Sequence, residues 1–201
     1  MTEPVGSGRA AELLDAALAA FLEDGYATIG VREITERAGV SHGTFYNYFD
    51  SKRQMLSVLV ERHTSALVAQ MRAALNRLEP PVTVDLLESV VHEGSLAVLT
   101  EVAENRETYR FLLLEVPGVD AESFAQYVTL FRSAAADIRA ALDKARDVGL
   151  INERLDPVFV SEAWLSYVAG IVAGTINDVD VSTPEASARV ITDLLLYGAI
   201  G

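Results

Sequence analysis

The chain has 201 residues, half of them hydrophobic, with no cysteine and a formal net charge of −13 at pH 7. This length can bury a substantial core in one or two domains, and abundant alanine and leucine with few prolines favour helices. The absence of cysteine excludes disulfides and thiolate metal sites.

No segment is typical of export or of a membrane anchor. Residues 1–9 lack the basic and apolar regions of a signal peptide and predict a polar tail. The most apolar stretch, Ala163 to Ile176, is shorter than the roughly 20 residues that a membrane-spanning helix needs. We therefore expect a cytoplasmic protein with no membrane partner.

Hydrophobic periodicity predicts three short helices near the N-terminus. The first carries apolar residues at helical spacing from Leu14 to Phe21 and ends at Gly25. The second begins near Val31, and Gly39 separates it from a third helix for which Ser41 is a strong N-cap candidate. Two short helices around a glycine-containing turn follow the plan of a helix-turn-helix motif.

The third helix combines a buried face with an unusual outer surface. Phe45 and Phe49 lie four residues apart and predict one face directed toward a core. The residues left to point elsewhere are Thr44, Tyr46, Asn47 and Tyr48. Because aromatic rings are normally buried, exposed tyrosines beside Lys52 suggest a surface that meets phosphates.

A long helix connects this region to the rest of the chain. It opens at Ser51-Lys52, carries an apolar stripe from Leu56 to Leu78, and ends before Pro80-Pro81. We place a domain boundary within it, near Glu61, which gives domains 1–61 and 62–201. A helix that runs through both domains is suited to couple them.

Five further helices are predicted in the second domain. The first runs from Thr83 to about Ala103 and the second from Asn105 to Val116. The third contains the apolar stripe from Phe124 to Leu142 and ends at Gly149. The fourth runs from Asp156 to Ile176, and the fifth begins at the Thr183 cap after a loop at 177–182. The expected fold class is all-α, with about nine helices and no strand.

The region from residue 10 to residue 60 resembles the N-terminal domain of tetracycline-repressor-like (TetR) transcription regulators. The positions that match are Phe21, Gly25-Tyr26, Val31, Ile34, Ala38-Gly39-Val40-Ser41, Gly43-Thr44-Phe45-Tyr46, Tyr48-Phe49 and Ser51-Lys52. The resemblance implies a homodimer that binds a palindromic operator in double-stranded DNA and releases it when a small molecule enters the C-terminal domain.

The resemblance also implies which side chains meet DNA. The matching positions are Ser41, Gly43, Thr44, Tyr46, Tyr48 and Lys52. His42 and Asn47 occupy variable positions and are candidates for reading bases. Arg32 either contacts DNA or is a solvated charge on its helix. Residues 1–62 hold six Lys/Arg against nine Asp/Glu, so we expect little non-specific affinity for DNA.

For the second domain we expect an apolar ligand cavity with a few polar anchors. The candidate lining residues are His63, Leu67, His92, Tyr109, Phe124, Tyr127, Phe131, Trp164 and Tyr167. His63 is either a lining residue or a core histidine. Basic residues are sparse near these stripes and acidic ones are common, which favours a bulky, largely apolar ligand that is neutral or cationic.

Small residues in the last two helices suggest where subunits meet. The candidates for the dimer interface are Ala163, Gly170, Gly174, Val190, Ile191 and Leu194. Glycines inside a helix cost stability, and close approach of a partner helix offsets that cost. Tight packing within one subunit is the alternative explanation.

No motif of an enzyme, a bound cofactor or a metal site occurs, so we expect no catalytic residue, cofactor or metal. The favoured interpretation is a ligand-responsive transcription regulator, most simply a repressor. The alternatives are a regulator that a protein partner gates, an activator, and a helical binding protein that has lost its affinity for DNA.

Overall fold

The computed structural model describes residues 8–179 and 182–199. Residues 1–7 of the predicted tail and residues 180 and 181 of the predicted loop lie outside them. The helices are α1 (Arg9–Asp24), α2 (Val31–Arg37), α3 (His42–Tyr46), α4 (Lys52–Leu75), α5 (Val84–Glu104), α6 (Arg106–Arg110), α7 (Ala121–Asp147), α8 (Pro157–Ile176) and α9 (Pro184–Ala199). Nine α-helices and no strand in the described residues confirm the predicted all-α class.

The chain divides into two compact units, between His63 and Thr64. In the first unit, α1, α2, α3 and the beginning of α4 enclose their own core, to which Leu14, Phe21, Ile34 and Phe45 contribute fully buried side chains. The remainder of α4 belongs to the second unit. Each unit therefore has the buried apolar residues that it needs to hold its own helices.

Helix α2 begins without the side-chain hydroxyl that usually caps a helix. Gly30 occupies the N-cap position, and its N–H donates to Glu33 Oε2 at 3.0 Å. Hydrogen bonds from the backbone N–H groups of Glu33 and Gly30 lower the pKa of the Glu33 carboxyl. Glu33 thus supplies from inside the helix part of the capping that glycine cannot supply.

In the second unit, α5 packs most extensively against α9, and α7 packs most extensively against α8. Leu99, Ile138, Trp164 and Ile191 are among the buried residues of this core. Helix α5 also approaches α4 closely, because a Cβ added at Gly94 would lie 3.4 Å from the Cβ of Ala74.

The prediction of one α-helix from Asn105 to Val116 is wrong. After α6 the backbone continues as a π-helical turn (Phe111–Glu115) and then as a 3-10 turn (Val116–Gly118). The wider turn buries Phe111 and Leu112 and leaves Leu114 46% exposed. Wide turns of this kind are frequent at functional sites.

Helix α8 has the length and composition of a membrane span, with 20 residues and a mean hydropathy of 1.4. This helix confirms the prediction of one helix from Asp156 to Ile176, with Asp156 as its N-cap. These properties are weak support for a span, because core helices of globular proteins share them. One third of the residues in its most apolar 18-residue segment are buried, and the exposed residues Phe159, Ala163 and Tyr167 leave an apolar surface uncovered.

Alkaline pH is expected to destabilise the fold through Tyr109, whose side chain is fully buried and donates to Glu101 Oε1 at 3.2 Å. Burial, with Glu101 nearby, raises the pKa of Tyr109 well above its ordinary value. Above about pH 10 the unfolded chain releases this proton and the folded chain keeps it. The free energy of unfolding therefore falls as pH rises, by about 1.4 kcal/mol near pH 11.

Tyr109→Phe removes both the hydrogen bond and this pH dependence. At about pH 9 the variant should unfold with a free energy about 1 kcal/mol below wild type. By about pH 11 that gap should close, as measured by urea denaturation. A gap that is constant across this range would show that Tyr109 ionises normally in the folded protein.

Candidate DNA-recognition surface and ligand cavity

Helix α3 is only five residues long, and contacts within a few residues hold it in place. The Ser41 side chain accepts from the Thr44 N–H at 3.2 Å, which confirms Ser41 as the N-cap. Gly39 adopts a φ of +64°, a left-handed conformation that suits glycine and reverses the chain between α2 and α3. Together these features build a helix-turn-helix.

Two buried rings fix the orientation of α3. The side chain of Phe45 is fully buried, and its ring centroid lies 5.7 Å from that of the buried Phe49. The Tyr46 ring meets the Phe45 ring edge-on at 5.2 Å and is 56% exposed. Because Phe45 and Phe49 take up the buried side, the polar side chains of α3 are left on the outer surface.

The structure brings most of the predicted DNA-contacting residues to this outer surface. Ser41, His42, Gly43, Tyr46 and Asn47 are exposed on α3 and its two caps. The half-buried ones are Thr44, Tyr48 and Lys52, and Arg32 is exposed on α2. Their contact with DNA stays a prediction.

The Lys52 ammonium is engaged within the first unit. It donates to the carbonyl oxygens of Tyr26 at 2.8 Å and Ile29 at 2.6 Å, and lies 4.1 Å from the centroid of the Tyr26 ring. Burial lowers the pKa of Lys52, and Glu33 partly opposes this effect. An ammonium has three N–H donors, and two of them serve these carbonyl oxygens.

The other basic side chains of the first unit also have partners. Arg37 binds Glu23 through two hydrogen bonds of 2.5 and 2.7 Å, and Arg32 binds Glu36 at 2.8 Å. The remaining pairs are Arg9 with Glu12, Arg62 with Asp15, and Arg53 with Ser57. Arg9, Arg32, Arg37 and Arg62 are therefore paired with carboxylates, whereas Lys52 and Arg53 donate to neutral oxygens.

The second unit contains an apolar cavity of about 140 Å³. Its walls come from α4, α5, the π-helical turn, α7 and α8. The lining residues are Leu67, Val68, Met71, Gly94, Ser95, Val98, Leu113, Leu114, Tyr127, Leu130, Phe131, Ala134, Ile138, Trp164, Leu165, Val168, Ala169, Val172, Ala173 and Ile176. One of these lining residues, Leu114, is also partly exposed to solvent.

Four predicted lining residues lie at the cavity, namely Leu67, Tyr127, Phe131 and Trp164. Whether they contact a ligand stays a prediction. Sequence patterns did not identify Ser95 or the small residues Gly94, Ala134 and Ala173. A hydroxyl in the middle of the apolar stripe of α5 is the signal that could have identified Ser95.

The other five predicted lining residues are corrected by the structure. His63 belongs to the first unit, one turn of α4 before Leu67. His92 Nε2 lies 3.3 Å from Glu185 Oε1 on α9, and Tyr109 is buried against Glu101. Phe124 is 56% exposed and Tyr167 is 52% exposed, and neither is among the residues that line the cavity.

Of the two expected kinds of apolar ligand, neutral or cationic, the cavity favours the neutral one, because no carboxylate is among its lining residues in the described part of the chain. Glu93 pairs with Arg77, and the Glu101 carboxylate accepts from Tyr109 and Asn105. The carboxylates of Glu93 and Glu101 therefore bind other side chains of the second unit.

Helices α8 and α9 each present an uncovered apolar stripe. On α9, Val190 is 49% and Leu194 is 50% exposed. The exposed residues of α8 include Phe159, Ala163, Tyr167 and Gly170 at helical spacing. A Cβ added at Gly170 would have nothing within 4 Å, so packing inside the subunit does not explain this glycine.

One predicted interface residue is wrong. Ile191 is 1% exposed and belongs to the core, because it lies on the face of α9 that packs against α5. Gly174 is half-buried. The remaining candidates, Ala163, Gly170, Val190 and Leu194, are exposed.

Residues 13–59 match the family described as bacterial regulatory proteins, tetR family. The chain is 40% identical to the transcriptional activator FasR of Mycolicibacterium smegmatis over 67 residues, 33% of this chain and 31% of FasR. It is 31% identical to the transcriptional repressor KstR2 of Rhodococcus jostii over 108 residues, 53% of each chain. The chain thus spans between a third and a half of these relatives.

Whole-chain similarity is found with solved structures. The complex of SmeT, a repressor from Stenotrophomonas maltophilia, with triclosan superimposes with a TM-score of 0.82 and 22% identity, and covers 97% of this chain and 93% of SmeT. At this identity the similarity concerns the fold. The helix-turn-helix of this chain, within residues 13–59, therefore matches the tetR family of bacterial regulatory proteins, and its all-α fold, similar to that of SmeT, agrees with that match.

Proposed function

We propose that this protein is a ligand-responsive transcription regulator of the cytoplasm, which binds a palindromic operator as a homodimer and releases it when a small apolar molecule binds. The observation that carries the proposal is the outer surface of α3, where polar and aromatic side chains surround a helix that Phe45 and Phe49 hold in place.

In the proposed complex, α3 enters the major groove. Ser41, Thr44 and Tyr46 contact phosphates through neutral hydroxyl groups, which position the protein. His42 and Asn47 are exposed at the start and end of α3 and reach base edges. An asparagine can form two hydrogen bonds to adenine, so it supplies sequence preference.

The proposed dimer forms through the uncovered stripes of α8 and α9. A two-fold axis brings the same surface of each subunit together, so a stripe that is apolar along its length complements itself. The dimer must hold its two recognition helices about 34–36 Å apart to reach successive major grooves. Exposed Val190 and Leu194 are the anchors that we assign to this interface.

The proposed ligand site is the cavity of the second unit. The SmeT structure with a similar fold contains triclosan, which supports a small, largely apolar ligand for this chain. Leu67, Val68 and Met71 bring α4 to the cavity wall. The same helix begins at Lys52, whose ammonium holds the loop before α2, so α4 is the element through which a ligand acts.

This coupling is reciprocal, because operator binding must weaken ligand binding by the same factor. Moving the two-state equilibrium from 1:99 to 99:1 takes a ligand preference of about 5.5 kcal/mol for one state. We assign the contact between the ligand and α4 to Leu67, Val68 and Met71, and not to His63, which we expected to line the cavity.

Selection of bound sequences from random DNA tests the proposal. We expect a palindrome, followed by a gel shift with the selected site and its reversal by small neutral apolar compounds. Failure to enrich any sequence at low salt would favour a helical binding protein without DNA affinity. A reporter gene behind the selected site distinguishes repression from activation, and FasR and KstR2 illustrate both outcomes.

Tyr46→Phe is expected to weaken operator binding by about 10²-fold, roughly tenfold for each subunit of the dimer, for every sequence that the protein recognises. The change removes one hydroxyl per subunit and keeps the exposed ring, and a hydrogen bond to a charged phosphate contributes about 1.5–3 kcal/mol. Fluorescence anisotropy at fixed salt measures the effect.

Asn47→Ala is the matched comparison, since it should reduce the differences in affinity between operator sequences. An unchanged affinity of Tyr46→Phe for the operator would remove Tyr46 from the phosphate-binding surface.

A further inference from the structure

We propose that the Ser95 hydroxyl, held in place by Trp164, is the polar anchor of the cavity, and that the ligand is an uncharged molecule with a hydrogen-bond acceptor on an apolar body about the size of one ring. This inference rests on the proposed role of the cavity as the ligand site and names the chemistry that the site recognises.

Ser95 lies on α5 and is 2% exposed. Its oxygen accepts the Trp164 Nε1–H at 3.2 Å. A hydroxyl also carries one proton to donate, and in the described part of the chain no acceptor takes the proton of Ser95. A buried donor without an acceptor is costly, and an acceptor on a bound ligand removes that cost.

Three other helical hydroxyl groups of the second unit bond within their own helix. Ser161 donates to Val158 O at 2.8 Å, Thr175 to Ile171 O at 3.0 Å, and Thr192 to Ala188 O at 2.8 Å. Each of these bonds returns to the previous turn of the same helix, the usual arrangement for a serine or threonine within a helix. Ser95 lacks this bond and lines the cavity instead.

The walls define the rest of the ligand. No lysine, arginine, histidine or carboxylate lines the cavity, so a charged group would be buried without a partner. The volume of about 140 Å³ is close to that of an engineered apolar cavity of about 150 Å³ that binds benzene. The Tyr127 and Phe131 rings, 4.7 Å apart, suit an aromatic or alicyclic body.

Acetophenone and α-methylstyrene are suitable probes, because they share one shape and differ only in C=O against C=CH2. Trp164 is the one tryptophan in the sequence and lines the cavity, so a saturable change of its emission reports binding. The ratio of the two affinities, compared between protein variants, cancels the different hydrophobicity of the probes.

Ser95→Val and Ser95→Thr form the matched pair of variants, since they differ only in a methyl group against the hydroxyl. Ser95→Val should lower the affinity for acetophenone relative to α-methylstyrene by about three- to tenfold, the factor that one net hydrogen bond supplies. Ser95→Thr should keep the wild-type ratio. Ser161→Ala, which removes a buried hydroxyl outside the cavity, should also keep it.

The outcomes separate the two proposals. If Ser95→Val binds α-methylstyrene and keeps the wild-type ratio, the anchor is wrong and the cavity still binds ligands. If neither probe changes Trp164 emission saturably in the wild-type protein, both the anchor and the cavity as a ligand site are wrong. Should Ser95→Val not fold, Ser95→Ala with the same two probes gives the ratio.

Discussion

Replacing Val190 and Leu194 together with glutamate is expected to convert the proposed dimer to monomers and to weaken operator binding by at least about 10²-fold. Both side chains are half exposed, so the subunit tolerates the change. At a two-fold interface each glutamate lies near its symmetry mate, and four carboxylates would be buried without cations.

The loss of affinity has a second cause. Two linked recognition helices bind two half-sites with an effective concentration that a monomer lacks. Sedimentation velocity measures the mass, and anisotropy measures operator affinity. Val148→Glu makes the same change at a valine that is 51% exposed just after α7, and it should leave both quantities unchanged. A double variant that sediments as a dimer would place the interface elsewhere.

Phe45→Ala is expected to unfold the helix-turn-helix and to abolish operator binding. The ring is fully buried, and its removal costs about 3–5 kcal/mol. A helix of five residues cannot persist without such contacts, because nucleating a helix is unfavourable. The second unit has its own core and should keep its thermal transition.

Hydrogen exchange followed by mass spectrometry distinguishes these effects. Peptides from residues 31–50 should lose protection in Phe45→Ala, and peptides from α5 and α7 should keep it. Tyr46→Ala is the control, because it truncates the neighbouring ring, which is largely exposed, and should preserve protection. Near-wild-type operator binding by Phe45→Ala would contradict the role that we give to this core.

The helix-turn-helix could be predicted from the sequence because its determinants are local. Ser41 caps a helix through an N–H three residues away, and Phe45 and Phe49 share a face through helical spacing alone. The family resemblance covers the same region. Contacts between residues so close in the sequence can be predicted from the spacing of residue types.

The cavity could be predicted only in part, because it arises where several helices fail to fill the space between them. Phe124 and Phe131 lie on the same stripe of α7, yet Phe124 is exposed and Phe131 lines the cavity. Gly94 and Ala134 matter through the absence of side-chain volume, which no hydrophobic pattern records. Which ring faces the cavity depends on how each helix is rotated against its neighbours.

The same limit applies to the outer face of α9. Val190 and Ile191 are adjacent and equally apolar, but one is 49% exposed and the other is 1% exposed. Periodicity identifies an apolar helix and does not say which part of a wide stripe packs against α5. That assignment needs the packed structure.

The paired arginines of the first unit bear on how a regulator of this kind would find its operator in a genome. Proteins that scan DNA by sliding depend on free cationic side chains, which displace counterions from any sequence they meet. Here Arg9, Arg32, Arg37 and Arg62 are already neutralised by carboxylates of the same unit. Such a molecule would spend less time on unrelated DNA than a regulator with free arginines. Lys52 keeps its charge, because its partners are carbonyl oxygens, so operator binding should retain some dependence on ionic strength.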